Sequence, residues 1–81
     1  MRYPAQAKFA GIQGNVLVGF TIGADGKTSN YHIVKPLGGG CDEEAIATVK
    51  KINGEWLPGM LNGKPVVVMN IIPVNFSLVS R

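Results

Sequence analysis

The chain has 81 residues, 46% of them apolar and 16% charged, with eight basic against five acidic side chains. That suffices for one small domain, residues 1–81, hiding about 60–65% of its unfolded surface, and the apolar content argues against disorder. A single cysteine excludes an internal disulfide or a cysteine-based zinc site, no apolar run is long enough for a membrane-spanning helix, and no basic-then-apolar leader follows Met1.

The opening Tyr3-Pro4-Ala5-Gln6-Ala7-Lys8-Phe9-Ala10 predicts one or two helical turns, with Pro4 near the start, where its missing N–H costs nothing. Gly11 and Gly14 bracket a turn. From Asn15 to Ile22 the residues alternate, with Val16, Val18, Phe20 and Ile22 on one side, which predicts a strand with one buried face. Ala24-Asp25-Gly26-Lys27 is a hairpin signal, and a second strand runs from Thr28 to Lys35 with Tyr31 and Ile33 toward the core. Pro36 and Gly38-Gly39-Gly40 end it.

Asp42 begins the main helix and is predicted to cap its first turn. Glu43 and Glu44 suit the positive end of the helix dipole, and Lys50 and Lys51 the negative end. Ala45, Ile46, Val49 and Ile52 form an apolar stripe, and Gly54 is the expected left-handed cap. Trp56-Leu57-Pro58-Gly59 and Asn62-Gly63-Lys64-Pro65 read as a turn-rich connection, too short for another element. Val66 to Val79 then reads as extended, with Ile72, Val74, Phe76 and Leu78 on one side and Val67, Met69 and Ile71 on the other. Pro73 puts this strand on a sheet edge, because proline cannot donate to a ladder.

The sum is an α+β fold of two layers: helix, strand, strand, helix, strand, with a three-stranded antiparallel sheet covered on one face by the main helix. The first strand takes the middle, and the last is an edge longer than its partner. Soluble proteins blunt such edges with lysines, bulges or brevity, because free backbone groups recruit other strands. This one has no charge between Lys64 and Arg81. Three outcomes stay open: an extended peptide from a partner adds to it, a second copy pairs with it in a dimer, or the chain folds its own segment over it.

Catalytic and ligand-binding chemistry finds little support. The basic residues are scattered rather than clustered with aromatics, unlike a nucleic-acid footprint. Gly38-Gly39-Gly40 before a helix would suit a phosphate, but Asp42, Glu43 and Glu44 would repel it. His32 and Cys41 are read as a surface imidazole and a half-buried thiol, with cross-linking through an exposed Cys41 as a lesser option. No carboxylate pair is placed for acid–base work, and Asn75-Phe76-Ser77 is a chance sequon inside a strand. Trp56 is expected to pack where the helix returns to the sheet. The apolar outer face of Leu17, Val34, Val67, Met69 and Ile71 either lies under the N-terminal turn or is an association surface.

Tyr3-Pro4-x-x-Ala7, Gly11-Ile12-x-Gly14-x-Val16-x-Val18-x-Phe20-x-Ile22 and Asp25-Gly26 resemble the TonB C-terminal domain family. So do Gly40-x-Asp42-Glu43-Glu44-Ala45-Ile46, Trp56-x-Pro58-Gly59, Asn62-Gly63-Lys64-Pro65-Val66 and Ile72-Pro73-Val74-x-Phe76-x-Leu78. The Gly-Gly-Gly run and the Asn-Gly-Lys-Pro turn look like versions from Bacteroidetes. The resemblance implies a non-enzymatic, cofactor-free periplasmic module of an inner-membrane-anchored protein. Such a module is coupled to a proton-driven motor complex and grips the TonB box of outer-membrane active transporters. The box adds as a strand along the stretch matching Ile72, Pro73, Val74, Asn75, Phe76, Ser77 and Leu78, with Arg2, Tyr3 and Gln6 nearby. It leaves two alternatives: a strand-swapped dimerisation module, and the same domain attached to a membrane sensor or peptidase-like protein.

Overall fold

The computed structural model describes residues 2–78. In chain order the elements are α1 (Ala5–Ala10), β1 (Gly14–Ile22), β2 (Thr28–Lys35), α2 (Cys41–Ile52), β3 (Gly59–Leu61), β4 (Lys64–Val66) and β5 (Val68–Phe76). β1 is the middle of a three-stranded antiparallel sheet in the order β2-β1-β5, and β3 with β4 forms a separate two-stranded ribbon. The α+β architecture read from the hydrophobic alternation is the one adopted.

The core lies between the sheet and α2. Val16, Val18, Phe20 and Ile22 bury one face of β1, and Val74 and Phe76 extend that face onto β5. Cys41, Ala45 and Val49 of α2 and Ala7 of α1 close over them. Each fully buried aliphatic or aromatic side chain in such a layer contributes about 1.5–3 kcal/mol. Phe20 is the hub: Tyr31 stacks on it at 5.5 Å and Trp56 tilts against it at 5.4 Å. Trp56 is also held by its backbone, its amide donating to the Gly26 carbonyl at 2.9 Å. A Cβ on Gly26 would lie 2.4 Å from the Trp56 carbonyl oxygen, and its φ is +83°. The Asp-Gly turn therefore needs glycine twice over: for its left-handed backbone and for this close approach.

Several local expectations are corrected. Gly59–Leu61 and Lys64–Val66 are strands, not a plain connection. Asn62 and Gly63 both have positive φ, 51° and 77°, the pattern of a tight two-residue hairpin turn. The extended stretch consequently breaks at Val67, which separates β4 from β5. β5 matches β1 residue for residue from Val68 to Phe76 rather than outrunning it, and Val79 lies outside the described residues.

The main helix starts at Cys41, with left-handed Gly40 at its N-cap and no side-chain cap bond. Asp42 instead turns back, its Oδ1 accepting the Leu37 amide at 2.7 Å and the Gly38 amide at 3.4 Å. Its carboxylate anchors the loop that the helix grows from, leaving the dipole to act on Glu43 and Glu44. The C-cap is Asn53 in an extended conformation rather than Gly54. Cys41 is fully buried, so it is neither half-exposed nor available for cross-linking.

Candidate functional site

β5 is bonded on one side by β1 and, among the described residues, pairs with no strand on the other. Which backbone groups face that open side follows from the pleat. The Gly23 amide donates to the Lys27 carbonyl across the β1–β2 hairpin. Alternation then turns the odd-numbered residues at that end of β1 toward β2 and the even-numbered ones toward β5. Through the register Ile22–Val68 to Gly14–Phe76, the even-numbered residues of β5 face β1. The odd-numbered residues Met69, Ile71, Pro73 and Asn75 face outward.

Two further bonds agree with this parity. The Leu78 amide reaches back to Gln13 Oε1 at 2.9 Å, on the β1 side. The Ile71 amide takes no ladder partner and donates to Asn70 Oδ1 at 2.9 Å. Pro73 thus falls where its missing N–H leaves the β1 ladder intact, as proline in an edge strand should.

The predicted site residues divide accordingly. Ile72, Val74 and Phe76 point their side chains into the core and their backbone toward β1; Val74 and Phe76 are buried. Pro73 and Asn75 present both side chain and backbone to the outside, and the Asn75 amide group donates to Asn15 Oδ1 at 2.9 Å. Ser77 and Leu78 lie just past the strand. The open flank also includes Met69 and Ile71, upstream of the predicted stretch. Only the register reveals them, because the sequence between Val66 and Ile71 is apolar on both faces.

The N-terminal residues meet the far end of this strand. Tyr3 packs edge-on against Phe76, ring centroids 5.5 Å apart at 88°, and its hydroxyl donates to the Ile12 carbonyl. Loss of hydration pushes the Tyr3 phenol above its usual value, and the neighbouring Cys41 adds to this. Burial raises the Cys41 thiol as well, with Asp42 contributing. The Arg2 amide donates to Glu44 Oε2 at 2.9 Å, and Gln6 is exposed on α1. Two open clefts flank this N-terminal segment, and no residue of β5 lines either.

The outer face of the sheet carries Leu17 with Val34, Met69 and Ile71, the last three 45%, 64% and 49% exposed. α1 does not cover it, since Ala7 belongs to the core on the α2 side. His32 lies across Gly19 on this face. Its Nδ1 sits 2.9 Å from the Asn30 carbonyl, which can only accept, so the proton is on Nδ1. His32 and the buried Cys41 therefore occupy opposite faces of the sheet and form no pair.

The domain is thus α+β, with a regular sheet edge at β5 that, among the described residues, pairs with no further strand, and with the Cys41 thiol buried in the core. The chain belongs to the family described as the Gram-negative bacterial TonB protein C-terminal, whose model matches residues 1–78. That is a family of transport-related binding modules rather than of enzymes. The chain is 53% identical over 34 residues to "Protein TonB" from two strains of Helicobacter pylori, a stretch covering 42% of this chain and 12% of each relative. It thus spans about an eighth of the length of these curated relatives. The solution structure of the Helicobacter pylori TonB C-terminal domain superposes with a TM-score of 0.69 at 34% identity, covering 99% of this chain and 71% of that one.

Proposed function

We propose that this domain grips outer-membrane active transporters by accepting their TonB box as an added strand on β5. One observation supports the reading above the others: among the described residues, the outer flank of β5 is uncharged and pairs with no strand over the nine residues that β1 pairs without a slip from the other side. A guest strand there gains backbone hydrogen bonds independent of its sequence, while its alternate side chains meet Met69, Ile71 and Pro73. The whole protein is read as inner-membrane-anchored and driven by a proton-powered motor complex, with residues 1–81 in the periplasm. A pull along β5 loads several ladder bonds together, and the Tyr3–Phe76 contact ties the strand's end to the N-terminal segment through which force would arrive. Arg2, Tyr3 and Gln6 are the partner-proximal residues in this reading.

Titrating a synthetic TonB-box peptide into isotope-labelled protein tests it. Amide shifts concentrated in β5 are expected, and their absence at millimolar peptide overturns the reading. The exposed Met69 and Ile71 beside the open edge also favour a second copy as occupant. Sedimentation over a concentration series separates the two, since a dimer through β5 would exclude the peptide. The same domain carried by a membrane sensor or peptidase-like parent would keep the open edge and change what it grips.

A further inference from the structure

The outer flank of β5 is uneven in its hydrogen-bonding capacity. Four residues turn their backbone outward: Met69, Ile71, Pro73 and Asn75. All four offer a carbonyl. Pro73 has no N–H, and the Ile71 N–H is already bound to Asn70 Oδ1 at 2.9 Å. The two central donor positions are thus both withdrawn, one by covalent structure and one by a neighbouring side chain. The first is permanent. The second is reversible, because a half-exposed carboxamide on an edge strand needs only a side-chain rotation to let go.

We propose that Asn70 is an internal competitor for the edge. Its carboxamide holds the Ile71 amide and confines a guest strand to the half from Pro73 onward, and its release opens the half that begins at Met69. The inference rests on the strand-addition reading and deepens it by naming the residue that sets how far the guest ladder extends. It also defines the guest: an extended segment that gives more N–H groups than it asks to have accepted. A guest carbonyl opposite Pro73 finds no donor in either state, so that position of the guest must keep its carbonyl in water. The same arrangement limits unwanted pairing between copies, since proline and a self-satisfied amide interrupt the edge at its centre.

Two variants and two measurements test this. In free wild-type protein the Ile71 amide should exchange with solvent more slowly than those of Met69 and Asn75. Asn70→Ala should remove that protection, and Asn70→Asp, which keeps an acceptor oxygen, should retain it. Equal exchange at the three amides in the wild type overturns the proposal. With a synthetic TonB-box peptide, wild-type shifts should cluster at Asn75 and its strand neighbours Val74 and Phe76. In Asn70→Ala they should extend to Ile71 and Met69, and the Kd should fall about three- to tenfold, the equivalent of about one added hydrogen bond. Asn70→Asp should bind as the wild type does. Shifts already spanning Met69 to Asn75 in the wild type, unchanged in Asn70→Ala, overturn the role of Asn70 and leave strand addition standing. No shifts in β5 for any variant remove strand addition itself, whatever the exchange data show.

Discussion

The two edges of the sheet flank the same central strand and are treated in opposite ways. β2 pairs with β1 through a register that slips twice, between Leu17 and Val18 and between Gly19 and Thr21. Its Asn30 is left-handed at φ 57°, and exposed Lys35 closes the strand. β5 pairs with β1 without a slip over nine residues and carries no charge. Bulges, twist and lysine are the usual means of stopping an edge from recruiting another strand. Here they are spent on β2, and β5 keeps only Pro73 and the Asn70–Ile71 bond. In the strand-addition reading, the unslipped β5, beside a β2 whose register slips twice, is the edge offered to a partner.

The largest expected effect concerns how each edge is anchored. β5 is held by the buried Val74 and Phe76, and β2 by the half-buried Tyr31 and Ile33. Phe76→Ala should cost about 3–5 kcal/mol, because it empties a fully buried site and removes the surface on which Tyr3 packs. Ile33→Ala, at a site already partly wet, should cost only about 2 kcal/mol. Urea denaturation of both variants checks the contrast, and equal losses would mean that the edges are anchored alike.

The bulge in β2 predicts the next effect. Asn tolerates the left-handed conformation at position 30, and a β-branched residue does not. Asn30→Val should therefore destabilise by about 1–2 kcal/mol, while Asn30→Gly should stay within about 0.5 kcal/mol of the wild type. If valine is accepted without loss, β2 can straighten and the distinction between the edges weakens. On β5 the matching change is Pro73→Ala, which restores an outward N–H without touching the β1 ladder. Stability should move by less than about 1 kcal/mol, and self-association or peptide affinity should rise about three- to tenfold. Sedimentation and titration read the two separately.

Much of this fold is legible in the sequence. Alternation from Val16 to Ile22 and the Asp25-Gly26 turn define β1, β2 and the hairpin between them. Tyr31, Ile33 and Trp56 pack where their spacing implies. The departures from the sequence expectations share a physical cause: short-range signals compete with longer patterns. Asn62-Gly63 is a strong hairpin dipeptide, but three-residue arms containing Pro65 do not look like strands. The uniformly apolar run from Val66 to Ile71 hides the break at Val67. Asp42 has the chemistry of a cap, yet the three glycines before it let the chain curl until its carboxylate meets Leu37 and Gly38. That an edge was open could be read from Pro73 and the missing charges. Which of its residues face outward could not, since parity depends on the turn at Gly23 and is carried to β5 only through the register.

The smallest effect lies at the end of β5 where Tyr3, Phe76 and Cys41 meet. Loss of hydration raises the Tyr3 phenol, and burial raises the Cys41 thiol. Both are acids that bind their proton more tightly in the folded chain than in the unfolded one. The stability this represents is complete below the ordinary values of 9.0 for the thiol and 10.0 for the phenol. It is lost as pH climbs through the raised values, because the unfolded chain releases those protons first. The melting temperature should accordingly start to decline as pH approaches 9.0, the ordinary thiol value, and keep falling beyond 10.0, the ordinary phenol value. Cys41→Ala should remove the earlier part of the decline and Tyr3→Phe the later part, while Ile33→Ala, on the other edge, should lower the whole curve and keep its slope. A decline of the same steepness in the Cys41→Ala, Tyr3→Phe double variant would mean that alkaline sensitivity arises elsewhere, and that this corner anchors β5 by packing alone.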